Sequence, residues 1–115
     1  MSYCELTWAA GLFEGEGYIC IAGKKGFGGY KNNSWRIGIE MTDKDIVQRF
    51  AAVFDLPVKF KPRSHKNSKW KDLYVAQVSR QAKVKEIVDA LLPFMGERRR
   101  SKMEEFLGDY KAQCS

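Results

Sequence analysis

The sequence has one histidine, three cysteines and three prolines in 115 residues, and each scarcity closes off a class of chemistry. His65 alone cannot build a histidine-rich metal centre. Its neighbours Arg63, Ser64, Lys66, Asn67 and Ser68 have the composition of an exposed loop. Cys4, Cys20 and Cys114 are odd in number and form no Cys-x-x-Cys pair. That excludes a disulfide framework and a zinc site, and predicts free thiols in a reducing, intracellular compartment. No apolar run approaches the roughly 20 residues that a membrane span needs. The N-terminus lacks a basic segment followed by an apolar core, so no secretory leader is expected. Acids are in the minority: 14 Asp and Glu stand against 20 Lys and Arg, for a net charge of +6. This excess points toward a polyanionic partner. The length fits a single domain over residues 1–115 with a modest core.

What is present reads as alternating helices and strands. Ser2 and Glu5 form an S-x-x-E capping box for a helix from Tyr3 to Phe13, which the Glu-Gly-Glu-Gly run stops. Tyr18 to Ala22 alternates as a strand with Ile19 and Ile21 inward. A Gly-, Lys- and Asn-rich turn over Gly23 to Asn33 leads to a second strand, Ser34 to Met41. There Trp35, Ile37, Ile39 and Met41 face one way, and Ser34, Arg36, Gly38 and Glu40 the other. Thr42 with Asp45 marks a helix start, and Ile46, Val47, Phe50, Ala51 and Phe54 recur at helical spacing before Pro57. Val58 and Phe60 alternate with Lys59 and Lys61 in a third strand. A charged loop from Pro62 to Lys71 precedes a fourth, Leu73 to Ser79. Val84, Ile87, Val88, Leu91 and Leu92 give an amphipathic helix ended by Pro93, and Met103, Phe106, Leu107 and Tyr110 mark a last one. The order predicts an α+β fold, one four-stranded antiparallel sheet with helices on one face.

The most informative stretch is Trp8-Ala9-Ala10-Gly11-Leu12-Phe13-Glu14-Gly15-Glu16-Gly17. Small residues on a helix admit a second backbone. Carboxylates at a helix C-terminus meet the negative end of the macrodipole, a repulsion that a divalent cation would offset. Ala9 to Gly17 resembles the LAGLIDADG motif of the homing endonucleases, with Ala10, Gly11, Leu12 and Gly17 in place. Phe13 stands for the isoleucine, Gly15 for the alanine, and Glu14 and Glu16 for the two aspartates. The element order matches that family's αββαββα core along nearly the whole chain.

The resemblance implies a site-specific double-strand DNA endonuclease of a mobile intron or free-standing homing element, leaving staggered 3′ overhangs. One motif per chain implies a homodimer, its motif helices packing at Thr7, Ala10, Gly11 and Glu14. It implies Glu16 as the essential ligand of Mg2+ or Mn2+, with Glu14 and Gly15 in the same site. Asp43 is the nearest match to a water-positioning residue, although it reads equally as a helix-start residue. Arg98 falls where the family has a basic residue after Leu-Pro-Phe, here Leu92-Pro93-Phe94. Arginine there stabilises charge and cannot serve as a base. The sheet face away from the helices is the expected DNA surface. It carries Tyr18, Lys24, Lys25, Ser34, Arg36, Glu40 and Gln77, with Lys59, Lys61, Arg63 and Lys71 on phosphates. A second reading is a non-catalytic nucleic-acid-binding protein on the same scaffold, an intron maturase that binds RNA or a regulator. A third, a merely basic protein-interaction domain, leaves the acids unexplained. Neither the host, whether organelle, archaeal, bacterial or phage, nor the target sequence is legible.

Overall fold

The computed structural model describes residues 2–29, 31–62 and 72–114. Helix α1, Tyr3–Glu16, begins where the Ser2 hydroxyl accepts the Glu5 backbone N–H at 3.1 Å. The expected box is only half made. The Glu5 carboxylate turns outward and accepts two bonds from Arg49, at 3.0 and 2.7 Å, rather than closing back on Ser2. Nor does α1 stop at Phe13. It continues through Glu16 and passes without a loop into strand β1, Gly17–Gly23. Gly15 is tolerated inside the helix at a cost of about 1 kcal/mol relative to alanine.

Gly17 makes this junction possible. Its N–H satisfies the Phe13 carbonyl, and its backbone is already extended. A Cβ on Gly17 would lie 2.1 Å from the Phe13 ring, which is fully buried and has nowhere to go. Gly17→Ala should therefore cost on the order of 1–3 kcal/mol by overpacking. Urea unfolding checks this, and an unchanged midpoint would mean that the ring moves freely.

Strands β2 (Ser34–Met41), β3 (Val58–Lys61) and β4 (Leu73–Val78) complete one antiparallel sheet in the order β1-β2-β4-β3. Two hairpins join through β2 and β4 into the single four-stranded sheet that the sequence predicts. Helix α2 (Lys44–Phe54) starts after Asp43 rather than Thr42, and ends at Asp55, whose φ of 55° is left-handed. Helix α3 is Gln81–Leu91, Pro93 sits in a 3-10 turn over Leu92–Phe94, and helix α4 is Glu97–Cys114. The core lies between the helices and one sheet face. Ile19, Trp35, Ile37, Ile39 and Ala76 meet Phe13, Val47, Phe50, Val84, Val88, Leu91, Met103 and Phe106 there. Phe60 escapes this core and is exposed, its ring against Tyr74. The Gln81 side chain extends the sheet where β4 ends. Its Oε1 accepts from the Trp35 N–H at 3.0 Å and its Nε2 donates to the Trp35 carbonyl at 2.9 Å. No helix among the described residues is long and apolar enough to cross a membrane.

Candidate nucleic-acid interface and carboxylate site

Strand pairing decides which side chains share the free sheet face. Tyr18 is opposite Gly38, and Gly38 is opposite Gln77; Cys20 is opposite Arg36. Glu40 is opposite Val75, and Val75 is opposite Lys59; Leu73 is opposite Lys61. Paired residues point to the same side of a sheet. Tyr18, Arg36, Glu40, Lys59, Lys61 and Gln77 therefore line one shallow concavity of about 450 Å3. Leu73 and Val75, apolar on a polar face, lie low in this face at 9% and 6% exposure.

The middle of the face is held flat by Gly38. A Cβ there would lie 2.3 Å from the Ala76 carbonyl oxygen, so only glycine fits. Over this gap the Tyr18 hydroxyl, on β1, donates to the Gln77 Oε1, on β4. Burial pushes the Tyr18 phenol up to about 12, helped by the nearby Glu40 charge and opposed by Arg36. Tyr18 therefore stays a neutral donor through the physiological range. The Gln77 oxygen has one lone pair engaged, while its amide N–H groups can still donate. Lys61 pairs with Glu40 at 3.0 Å on the exposed rim, an ion pair weak enough for a phosphate to replace.

The loop between β1 and β2 is rooted at its base. The Asn33 Oδ1 accepts the Lys25 backbone N–H at 2.7 Å, and the Asn33 Nδ2 donates to Asp109 of α4 at 3.1 Å. The same Asp109 oxygen accepts the Trp35 indole N–H at 2.8 Å, and the Gln113 Nε2 donates to the Asn33 carbonyl at 3.0 Å.

The acids gather at the opposite end of β1, where α1 finishes. The Glu14 carboxylate accepts the Gly96 N–H at 3.2 Å, just ahead of α4, where the helix N-terminus favours negative charge. The Glu14 carbonyl accepts from the Arg99 guanidinium at 3.4 and 3.3 Å. Arg99 thereby places a positive charge at the negative end of the α1 dipole. Its guanidinium also lies 5.5 Å from the Phe13 ring centre. Glu16 is exposed, and no hydrogen bond or ion pair engages it among the described residues. Along α1, Gly11 and Gly15 are exposed, and a Cβ on either would meet nothing within 4 Å. The chain therefore presents an open small-residue strip ending beside Glu16.

No protein-family model and no curated protein matches the sequence. Solved structures match its fold. The group I intron-encoded homing endonuclease I-CeuI, complexed with DNA, superposes with a TM-score of 0.66 at 14% identity, covering 93% of this chain and 54% of its own. I-CvuI in complex with its target gives 0.64 at 13% identity, covering 88% of this chain and 62% of its own. The archaeal intron-encoded I-Vdi141I, complexed with DNA, gives 0.62 at 15%, covering 87% and 63%. The chain has the LAGLIDADG homing endonuclease fold. It spans less than two thirds of the length of each of these three.

Within the LAGLIDADG fold, the residues expected from the sequence fall into separate groups. Tyr18, Arg36, Glu40, Lys59, Lys61 and Gln77 come together on the free face. Ser34 continues that face, and Lys24 and Lys25 follow β1 into the loop. Arg63 and Lys71 lie outside the described residues, as does His65. Glu14 and Glu16 lie at the helix end, and Arg98 is exposed in the first turn of α4, next to the Arg99 that reaches Glu14. Asp43 is at that same end of the sheet, four residues beyond Ile39, the partner of Gly17. It is the N-cap of α2, although its side chain makes no capping bond. Ala10 is a correction. It is 2% exposed and packs in the core of its own chain, so the turn of the helix removes it from the open strip. The surface available to a second motif helix runs through Thr7, Gly11 and Gly15. Arg99, one of the basic residues adjacent to Arg98 between which the sequence does not choose firmly, is the one that reaches α1. With Arg98, Arg99 and Arg100 consecutive, only the helical turn of α4 decides which one reaches α1.

Among the described residues, no group of three or more His, Cys, Asp or Glu side chains could hold a metal ion. Of the two motif acids, Glu16 is the one whose carboxylate no hydrogen bond or ion pair engages among the described residues. Its hard oxygen chemistry suits Mg2+ or Mn2+, which take few protein ligands and keep several waters. Glu16 alone would give such an ion one carboxylate ligand.

Proposed function

We propose that this protein is a site-specific double-strand DNA endonuclease that works as a homodimer and hydrolyses phosphodiesters with Mg2+ or Mn2+. The observation that carries this reading is the free Glu16 carboxylate, which ends an open small-residue helix strip at the foot of a basic sheet face. Thr7, Gly11 and Gly15 are the positions at which two motif helices meet. Two copies of Glu16, with the Gly15 carbonyls, are then the residues that hold the ions. Such an ion neutralises phosphate charge and lowers the pKa of a water. Glu14 is a positioning residue, because its carboxylate anchors α1 to the start of α4. Arg98 faces solvent and supplies charge to the phosphate, Asp43 orients solvent, and the product carries 3′ overhangs. The setting is the interior of a cell that hosts a mobile intron or free-standing homing element.

The neutral Tyr18 phenol holds Gln77 so that its amide donates toward a base edge. Arg36 is suited to guanine, and Glu40 to the amino group of cytosine. Lys59 and Lys61 neutralise phosphates. Replacing both with alanine should weaken binding to all duplexes alike. It should also flatten the slope of log K against log salt by about 0.9 for each phosphate no longer neutralised. Fluorescence-anisotropy titrations at several salt concentrations measure this. An unchanged slope would remove the sheet face from the interface.

One observation favours the second reading, a non-catalytic binding protein such as a maturase or regulator. Of the two motif acids, only Glu16 is unengaged, Glu14 being bound to Gly96. The two readings separate in one assay on a duplex site selected from a randomised pool. Cleavage in magnesium or manganese supports the enzyme. Tight binding with no cutting in either, and equal or tighter binding to folded RNA, supports the alternative.

A further inference from the structure

Phe27 stands at the tip of the β1–β2 loop with 66% of its surface exposed. A lone exposed apolar side chain is ordinary. This one is held out by a built turn. The Phe27 N–H donates to the Lys24 carbonyl at 3.1 Å. Gly26, Gly28 and Gly29 flank the ring with φ of 89°, 59° and 83°, conformations that other residues rarely adopt. A Cβ on Gly26 or Gly29 would meet nothing within 4 Å, so backbone shape, not crowding, demands glycine there. The base of the loop is pinned to α4 through Asn33, Asp109 and Gln113. Cations accompany the ring. The Lys24 Nζ lies 5.8 Å from its centre, and Lys25 is next in the chain.

An aromatic ring on a rooted support, beside cations, suits one kind of polyanion better than others. A base step offers an apolar face to the ring, and the phosphates on either side offer charge to the lysines. Lipid headgroups and acidic peptides offer the charge without the stacking surface. We propose that Phe27 is a wedge that packs against a base step at the outer end of each half-site, with Lys24 and Lys25 on the adjoining phosphates. This rests on the DNA-binding reading above and adds a readout position to it. The distance fits an outer position. From Gly17 to Gly23 the strand spans roughly 20 Å at about 3.3 Å per residue, before the loop begins. At about 3.4 Å per base pair, the tip lies about six base pairs or more from the acidic end.

A wedge is cheapest where stacking is weakest, at pyrimidine–purine steps. The test is selection from a pool of randomised 30-bp duplexes, about three helical turns, with the full chain, Phe27→Ala and Phe27→Leu. Anisotropy titrations on the recovered site follow. The wild-type protein is expected to recover a TA or CA/TG step at a symmetric pair of outer positions. Phe27→Ala should lose that preference alone and bind the recovered site about tenfold more weakly. Its salt slope should not change, since no charge is removed. Phe27→Leu keeps an apolar wedge and should fall between. Thermal unfolding should be the same for all three, because the ring supports no core contact. Equal affinity and equal sequence preference for Phe27→Ala would overturn the wedge. So would a weakening shared by every duplex with a flattened slope, which would mean that the ring only orders the lysines. Failure of the wild-type chain to bind any duplex would instead overturn the DNA reading itself.

Discussion

Replacing Glu16 with glutamine should abolish DNA cleavage while leaving fold, assembly and binding in place. The carboxylate is exposed and unengaged among the described residues, so its removal breaks no structural interaction. Glutamine keeps the size and the hydrogen-bonding capacity but not the charge that holds a divalent cation. If the ion contributes several kcal/mol at the reacting phosphate, the rate falls by a factor on the order of a thousand or more. Binding measured in calcium should be equal or tighter, because a negative charge near phosphates is gone. Glu14→Gln should act differently. It loosens the hydrogen bond with Gly96 and so lowers stability as well as rate. Supercoiled plasmid bearing the selected site, incubated with magnesium, distinguishes the two. Full cutting by the Glu16→Gln protein would show that the motif does not carry the chemistry.

The second large effect is expected at Gly11. A Cβ there meets nothing within 4 Å beyond its own stretch of helix, so Gly11→Leu should fold well. It should even gain about 0.8 kcal/mol from the better helix propensity of leucine. In a dimer built on this strip, the same leucine forces the two helices apart. The expected outcome is a monomer that melts no lower than the wild-type protein in the absence of assembly. Such a monomer has lost double-strand cutting. Sedimentation at micromolar concentration reads the first part directly. A leucine variant that remains dimeric would place the interface elsewhere.

Much of the fold was legible because its signals are periodic. Trp35, Ile37 and Ile39 announce a half-buried strand, and Val84, Ile87, Val88 and Leu91 a helix face, and both are core. The errors fall where long-range partners override local rules. Glu5 reads as a capping acid, but Arg49 of α2 takes it. The Glu-Gly-Glu-Gly run reads as a helix stop, but Arg99, far along the chain, helps to finish the helix beyond it. Ala10 and Gly11 look alike as small residues, yet the turn of the helix sends one to the core and the other to the surface. The basic face was visible as alternation in Lys59 and Lys61. That Gly38 lets Tyr18 reach Gln77 across an intervening strand was not, because it depends on the register of three strands.

The direct passage from Glu16 into β1 has a consequence for how such a protein can change its target. Only Gly17 separates the acid from Tyr18, the first side chain on the reading face, and Gly17 itself tolerates no side chain. On the proposed reading, blade and ruler are thus one continuous piece of chain. Substitutions along the strands, or length changes in the Lys24–Asn33 loop, can alter which bases are favoured and how far outward the reading extends. If Glu16 marks the cut, they cannot slide it relative to the first base read. On the proposed reading, related chains with different targets should keep the same cutting offset, with variation accumulating toward the loop.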